Sequence, residues 1–311
     1  MLMKYSVMGL FGAARIAGAE LRKVPVSQHM RCLHTGCVRL AVDKALLMKL
    51  RKSTGYTFVN CKAALEKFNN DITQAENWLN EQAQKEGWSK ASKLEGRKAK
   101  EGLIGVLTQD TSAVMVEVNC ETDFVAKNEK FQQLVKDVAL STMEHLNTKA
   151  AGKAGYMKST LQAEDLASLN VSGGSSLADQ LALFIGRLGE NMSVTRAVCV
   201  RVPTGWKIGS YVHGGSAQGM TEVAMGKYGA LVVFQSAEGS DTLGRKLAQH
   251  VVGEAPEALG NMDDLPCGQS ETRLLPQALM WDASLTVAEF LRQQNAKVLD
   301  FARFQCGEAS K

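Results

Sequence analysis

An aromatic ring and a carboxylate stand side by side in the segment 122–128, whose sequence is Thr-Asp-Phe-Val-Ala-Lys-Asn. The segment follows an alternating apolar stretch at 114–119 that predicts a strand, and a helical pattern begins at Glu129. Turns between strands and helices tend to present side chains outward, so Asp123 and Phe124 could form a wedge that enters a partner protein. The alternative is that Phe124 packs into its own core, as most phenylalanines do. This segment alone leaves both interpretations open.

Residue patterns typical of enzymes are missing from the rest of the sequence. There is no GxxxxGK[ST] phosphate-binding loop, and no GxGxxG follows a predicted strand. The five histidines and seven cysteines include no CxxC pair and no cluster with zinc-ligand spacing. We therefore expect no enzyme, no cofactor, no metal and no direct binding of a nucleotide. A hydrolase that uses Cys120 or Cys199 as nucleophile is the remaining catalytic alternative.

Composition and charge favour a soluble binding protein. The chain of 311 residues is long enough for two or three compact units. Its composition, 45% hydrophobic and 22% charged, is ordinary for a soluble protein. No run of about eighteen apolar residues occurs, so we expect no membrane span. The net charge of +4 is unevenly divided, because residues 1–40 carry +5 and the rest carries −1. A folded part without a basic surplus gives no support for nucleic-acid binding.

The first 41 residues are rich in arginine and poor in acids, which is typical of a mitochondrial transit peptide. We therefore expect import into the mitochondrial matrix. A merely disordered N-terminus and a plastid address are the alternatives.

The remaining pattern predicts an α+β protein. Apolar residues at helical spacing predict three short helices over 42–84, and a charged linker follows at 85–101. Two strands joined by a polar turn and then a long helix open a first core subdomain, 102–203. Further strands and helices form a second, 204–311, so we expect small antiparallel sheets with packed helices. A module as small as 42–84 leaves no room for an active-site cleft and is typical of a docking piece.

Ordered motifs spread over residues 42–306 resemble translation elongation factor Ts. They are Leu50-Arg51-Lys52-Ser53-Thr54-Gly55, Cys61-Lys62-Ala63-Ala64-Leu65, Asp71-Ile72 with Trp78-Leu79, the stretch from Val116 to Asn128, Ile185-Gly186 with Gly189-Glu190-Asn191-Met192, Tyr211-Val212-His213, Thr286-Val287 with Phe290-Leu291, and Phe301 with Arg303-Phe304. In this family the three helices form a ubiquitin-associated-like module.

The resemblance implies an activity and a partner. The family releases GDP from elongation factor Tu, a GTPase, by displacing the elements that hold Mg²⁺ and phosphate, and we expect a 1:1 heterodimer. The partner-binding residues that it implies are Thr122, Asp123, Phe124, Val125, Asn128, His213, Leu50, Arg51, Thr54 and Gly55.

The chain departs from the family pattern in two places. The stretch from Leu259 to Leu275 is short and contains Pro266, so the long helical insertion of bacterial members is not expected. An insertion from Ser216 to Lys227 follows the Tyr-x-His motif and weakens the role carried over to His213. The alternative function is a ubiquitin-type binding adaptor without exchange activity, which the three-helix module alone would suggest.

Overall fold

The structure is a computed structural model that describes residues 42–308 except 95, 153, 172–174, 216–221 and 237–240. The predicted transit peptide at 1–41 lies outside the described residues, as does half of the predicted insertion at 216–227. In the part of the chain that the structure describes, no helix is both long and apolar enough to cross a bilayer.

Three helices open the described chain: α1 (Lys44–Thr54), α2 (Phe58–Lys67) and α3 (Ile72–Leu94). The carboxylate of Asp43 accepts hydrogen bonds from the first free amides of α1. Gly55 ends the same helix with φ of +78°, a conformation that glycine adopts without steric cost. The apolar faces enclose a small core, whose largest members are Tyr56, Leu50, Leu65, Leu47 and Leu79.

The third helix is longer than the sequence predicts. Residues 85–94 were expected in a solvated linker, but they continue α3 to Leu94. The reason is Gly87, which is buried against helix α7 (Leu177–Leu188). A Cβ atom on Gly87 would lie 2.8 Å from the carbonyl oxygen of Ala182, so the missing side chain lets the two backbones meet. The predicted linker is therefore helical in its first ten residues, which continue α3 and pack on α7.

The first sheet contains five antiparallel strands in the order β3-β4-β2-β1-β6. These strands are β1 (Glu101–Gln109), β2 (Ser112–Cys120), β3 (Met157–Gln162), β4 (Met192–Arg201) and β6 (Ala224–Gly226). Helix α5 (Glu129–Lys149) and α7 cover one face, where Phe131, Leu134 and Val138 are fully buried. The helix predicted from Glu129 onward is confirmed, and Asn128 caps it by accepting from the Lys130 amide at 2.8 Å.

Strand β4 contains a bulge that its residue pattern does not predict. Alternate valines from Val194 to Val202 predict one continuous branched face, but the register shifts opposite Glu117 and Val118. This bulge turns Val194 to the helix-covered face, while Val198 and Val202 point to the other face of the sheet. Period-two spacing cannot reveal an inserted residue, so the sequence placed Val194 on the wrong side.

The second sheet contains the strands β10-β7-β5 in that order. They are β5 (Trp206–His213), β7 (Tyr228–Ser236) and β10 (Ala296–Gln305), and the helices α8 (Asp241–Glu254) and α9 (Val287–Gln293) cover the outer face. The inner face packs against the first sheet through residues such as Met115, Val198, Leu231, Val233 and Phe304. The core is therefore a stack of helices, sheet, sheet and helices, and the α+β prediction is confirmed.

Short elements complete the fold. They are α4 (Asp123–Ala126), α6 (Ala163–Ala167), a 3₁₀ helix (Gly268–Ser270) and the hairpin β8 (Ala278–Leu279) with β9 (Asp282–Thr286). The stretch 259–275 contains no α-helix, which agrees with the departure from bacterial members noted in the sequence.

A buried ion pair between β2 and β4 of the first sheet anchors the segment that follows β10 of the second sheet. Glu117, only 1% exposed, accepts from Arg196 Nε and from the Gly307 amide, both at 2.7 Å. The guanidinium of Arg196 lies 4.2 Å from the centre of the Phe304 ring. Strand β6 also crosses between the halves, because it pairs with β1 although it follows β5 in sequence. The end of the chain is thus attached to the first sheet.

Candidate partner-binding surface

The segment 122–128 contains a single helical turn at the end of the central strand of the first sheet. Strand β2 ends at Cys120, and Thr122 caps α4 by accepting from the Val125 amide at 3.3 Å. Ala126 is buried and Val125 is partly buried against the main core, so the inner side of the turn is anchored. The turn is therefore a fixed projection of the core.

Phe124 points away from that core. Its side chain is 80% exposed, which makes it one of the most exposed large apolar residues in the described chain. The alternative that Phe124 packs inside its own fold is wrong. A ring held outward on an anchored turn is available for contact with another protein.

Asp123 lies beside this ring as a charged group. Lys127 Nζ approaches Asp123 Oδ2 at 2.8 Å one turn along the helix. The hydrogen bond and the positive charge of Lys127 lower the pKa of Asp123 and raise the pKa of Lys127. Both side chains are well exposed, so this pair contributes little to stability. It keeps the carboxylate ionised at the tip of the turn.

A cleft of about 710 Å³ lies directly beside the turn. Its lining includes Asp123 and Lys127 of the turn, Lys136 of α5, and Gly214 and Lys227. The segment after β5 therefore comes close to the turn, although about ninety residues separate them in sequence. His213 itself does not line this cleft.

The predicted residues of the helical module divide into two groups. Arg51 and Gly55 line a cleft of about 610 Å³ together with Asn128, so these three residues meet at one surface. Leu50 is fully buried, and Thr54 is 5% exposed with its hydroxyl bonded to the Leu50 carbonyl oxygen at 2.6 Å. The prediction that Leu50 and Thr54 contact a partner is wrong, because helical spacing turns them into the module's own core.

His213 is exposed at the end of β5, between two tyrosines. The ring centres of Tyr211 and Tyr228 lie 6.3 and 6.2 Å from the imidazole. The same aromatic surface borders a cleft of about 590 Å³ that Met280 and Arg303 also line. The structure thus gives His213 an accessible aromatic surface, and this surface belongs to the second sheet.

Sequence reasoning missed Glu190. Its Oε1 accepts from the Thr122 hydroxyl at 2.7 Å, and its Oε2 accepts from the Thr122 amide at 3.0 Å. The residue lies within the Gly189-Glu190-Asn191-Met192 motif, but nothing in the sequence shows that a residue 68 positions away reaches the turn. That motif was the only available signal.

The two candidate nucleophiles of the hydrolase alternative are buried thiols. Burial raises the pKa of Cys120 to about 12, with a further contribution from the charge of Glu190. Burial also raises the pKa of Cys199 to about 11. Both thiols stay protonated near neutral pH, and the thiolate is the reactive species. Neither cysteine is therefore an activated nucleophile. Among the described residues, no cluster of three or more His, Cys, Asp or Glu could hold a metal ion.

Comparison with known proteins covers the module and the core. The family model described as "Elongation factor Ts, mitochondrial, N-terminal" matches residues 30–89, and the model described as "Elongation factor TS" matches residues 121–269. The second match begins one residue before the turn that carries Phe124. The helical module and the core therefore match the same family in the same order.

Relatives match almost the whole chain. A Salmo salar protein named "Elongation factor Ts, mitochondrial" is 68% identical over 304 residues, which cover 97% of this chain and 98% of its own. Proteins of the same name from Rattus norvegicus and Homo sapiens are 52% and 49% identical. They cover 92% and 95% of this chain, and the matches span 90% and 93% of their own lengths. The chain belongs to the elongation factor Ts family, in the branch whose members are named as mitochondrial.

Proposed function

We propose that this protein is the guanine-nucleotide exchange factor of elongation factor Tu in the mitochondrial matrix, where it forms a 1:1 heterodimer with that GTPase. The observation that carries the proposal is the anchored turn that holds Phe124 80% exposed beside the ionised Asp123. Such a projection contacts another protein, and family membership supplies the identity of that protein.

The turn acts on the partner by displacement. Much of the affinity of a GTPase for GDP comes from Mg²⁺ and from the groups that contact the phosphates. Phe124 and Asp123 press against helices behind the nucleotide and shift the elements that hold these contacts. No covalent bond forms or breaks, so the protein needs no catalytic group, metal or cofactor of its own.

Two further surfaces hold the complex together. The cleft lined by Arg51, Gly55 and Asn128 lies at the start of α5, directly after the turn, so the module docks on the GTPase domain together with the turn. The aromatic surface around His213 binds a second domain of the partner. Several attachment points allow the turn to stay engaged while the nucleotide leaves.

Thermodynamic linkage sets the condition for exchange. The factor must bind nucleotide-free partner more tightly than GDP-bound partner, and GDP affinity then falls by the same ratio. A typical coupling is about 1–3 kcal/mol, which corresponds to roughly 5–150-fold. GTP then displaces the factor by the same reciprocity.

Release of fluorescent GDP from purified mitochondrial elongation factor Tu tests the proposal directly. Addition of this protein is expected to accelerate release and to saturate as its concentration rises. Fluorescent GDP mixed with this protein alone is expected to show no binding. An unchanged release rate in the presence of excess factor contradicts the proposal. Affinity capture from a mitochondrial extract separates the adaptor alternative, because an adaptor recovers many ubiquitinated species and an exchange factor recovers one GTPase.

A further inference from the structure

Two loops hold each other at the base of the exposed turn, and we call their four residues the loop clasp: Glu121, Thr122, Glu190 and Asn191. Both oxygens of Glu190 accept hydrogen bonds from Thr122, as described above. In the opposite direction, Glu121 Oε1 accepts from the Asn191 amide at 2.7 Å. The first loop ends β2 and the second loop ends α7, so the clasp joins two elements that are distant in sequence.

The hydrogen bonds of Thr122 connect Glu190 to the start of α4. The Thr122 hydroxyl donates to Glu190 and accepts from the Val125 amide, so one oxygen links the carboxylate to the first turn of α4. Thr122 offers two donors, its amide and its hydroxyl, and an ionised carboxylate supplies an acceptor for each. A glutamine at position 190 would turn an NH₂ group toward one of these donors.

The second loop is held by a rigid part of the fold. Gly189 ends α7 in a left-handed conformation with φ of +76°, which directs the chain back toward Thr122. Helix α7 in turn packs closely on α3, where Gly186 would place a Cβ only 3.2 Å from the Ala83 carbonyl oxygen. Arg187 Nη2 also donates to Asn80 Oδ1 at 3.2 Å. Glu190 therefore lies directly after α7, the helix that packs against α3 of the module.

We propose that Glu190 is a positioning residue that holds the tip formed by Asp123 and Phe124 at the angle needed to displace the nucleotide. The inference rests on the proposed exchange function and deepens it, because Glu190 acts through Thr122 and not by touching the nucleotide. The side chain of Glu190 is half-buried, and both of its oxygens already accept hydrogen bonds from Thr122. Its effect should therefore fall on the rate of displacement more than on partner affinity.

The test compares Glu190→Gln with wild type in fluorescent GDP release from mitochondrial elongation factor Tu, over a full range of factor concentration. The maximal release rate is expected to fall about tenfold, because the loss of one hydrogen bond to a charged group typically changes a rate or an equilibrium by about this factor. The concentration at half-saturation should change much less, because the module and the His213 surface remain intact. The matched control is Glu164→Gln, which removes an exposed carboxylate from α6 and should leave both values unchanged.

A second variant separates positioning from general stability. If Glu190 acts through Thr122, the double variant Glu190→Gln/Thr122→Val should slow release less than the product of the two single effects. Thermal unfolding of each variant shows whether the fold is retained at the assay temperature. If the two single effects on the release rate multiply in the double variant, or if folded Glu190→Gln reaches the wild-type maximal rate, this inference alone is overturned. Failure of the wild-type protein to stimulate release would overturn the proposed function, and this inference with it.

Discussion

Phe124 gains no burial within its own fold, and the proposed function gives this exposed ring a role in a complex. The hydrophobic residues around it point inward, and Ala126 fixes the turn from below. The sequence could narrow this arrangement to a strand-to-helix turn. It could not decide which side chain of the turn points outward, because a four-residue helix is too short to show a periodic face.

Replacement of the ring should affect function without affecting the fold. We expect Phe124→Ala to slow stimulated GDP release by about thirtyfold, since aromatic anchors at the centre of an interface contribute about 2 kcal/mol or more. The free energy of unfolding should stay within about 0.5 kcal/mol of wild type, because the side chain is exposed. The matched control is Leu265→Ala, which removes another apolar side chain that is 84% exposed. Equal release rates for Phe124→Ala and wild type would refute the displacement mechanism.

The burial of His250 should make the free energy of unfolding depend on pH. The imidazole is fully buried, where Nε2 pairs with Gln277 Oε1 at 3.2 Å and Nδ1 accepts from the Met280 amide at 3.3 Å. Burial lowers the pKa of His250 below its ordinary value of 6.5, so the folded protein holds this residue neutral while the unfolded chain takes up a proton. The free energy of unfolding should be fully retained above pH 6.5 and decrease as the pH falls below it.

Urea unfolding at pH 8.0, 7.0, 6.0 and 5.5 measures this decrease. The variant His250→Gln keeps a hydrogen-bonding side chain but cannot be protonated, so its unfolding free energy should decrease less between pH 7.0 and 5.5. Parallel curves for wild type and variant would show that another group is responsible.

At the scale of elements, the sequence was most reliable where apolar periodicity and capping residues agree. The helix after Asn128 and the two strands around the Gln109–Ser112 turn are examples. It failed for α3, because the charged residues after Gln84 suggest solvent on all sides. In the structure the buried Gly87 and the partly buried Ala91 and Leu94 show that this part of the helix packs, and its partner α7 lies about ninety residues further along the chain. Strand β3 escaped notice because only one of its six residues is buried.

A methyl group at Gly87 should therefore disturb the contact between the module and the core. In Gly87→Ala the new Cβ meets the Ala182 carbonyl oxygen at 2.8 Å, and overpacking of this kind destabilises by about 1–3 kcal/mol. We expect faster proteolysis near residues 95–100 and weaker partner binding, measured by titration calorimetry. Gly96→Ala is the control, since a Cβ there meets nothing within 4 Å. Equal protease resistance in both variants would contradict the packing argument.

Considered as a whole, the molecule consists of two sheets face to face, and both ends of the described chain are attached to the first half. Family resemblance correctly indicated the module and the core. It could not reveal the ion pair of Glu117 with Arg196 or the Gly307 amide that completes it, because the pair depends on the register of β2 against β4 and the amide on the path of the chain after β10. A sequence shows which charges exist and not which of them are buried together.

Loss of the charge at Glu117 should destabilise the whole protein. Glu117→Gln leaves Arg196 in a poorly solvated position without its counter-ion, which typically costs about 3–5 kcal/mol. Urea unfolding at pH 7.5 measures the loss. The control Glu308→Gln removes a more exposed carboxylate 3.8 Å from Arg196 and should cost less than about 1 kcal/mol. Similar losses in the two variants would mean that burial of the Glu117 pair is energetically unimportant.

The bond from Gly307 to Glu117 also bears on how the protein is made. A chain emerging from the ribosome exposes β2 long before residues 306–308 are synthesised. Until those residues arrive, the first sheet must enclose a carboxylate that lacks one of its donors, an arrangement that burial penalises. Completion of this half therefore waits for the codon of Gly307, and a stop codon just before it should yield a protein that misfolds rather than one that is merely shorter.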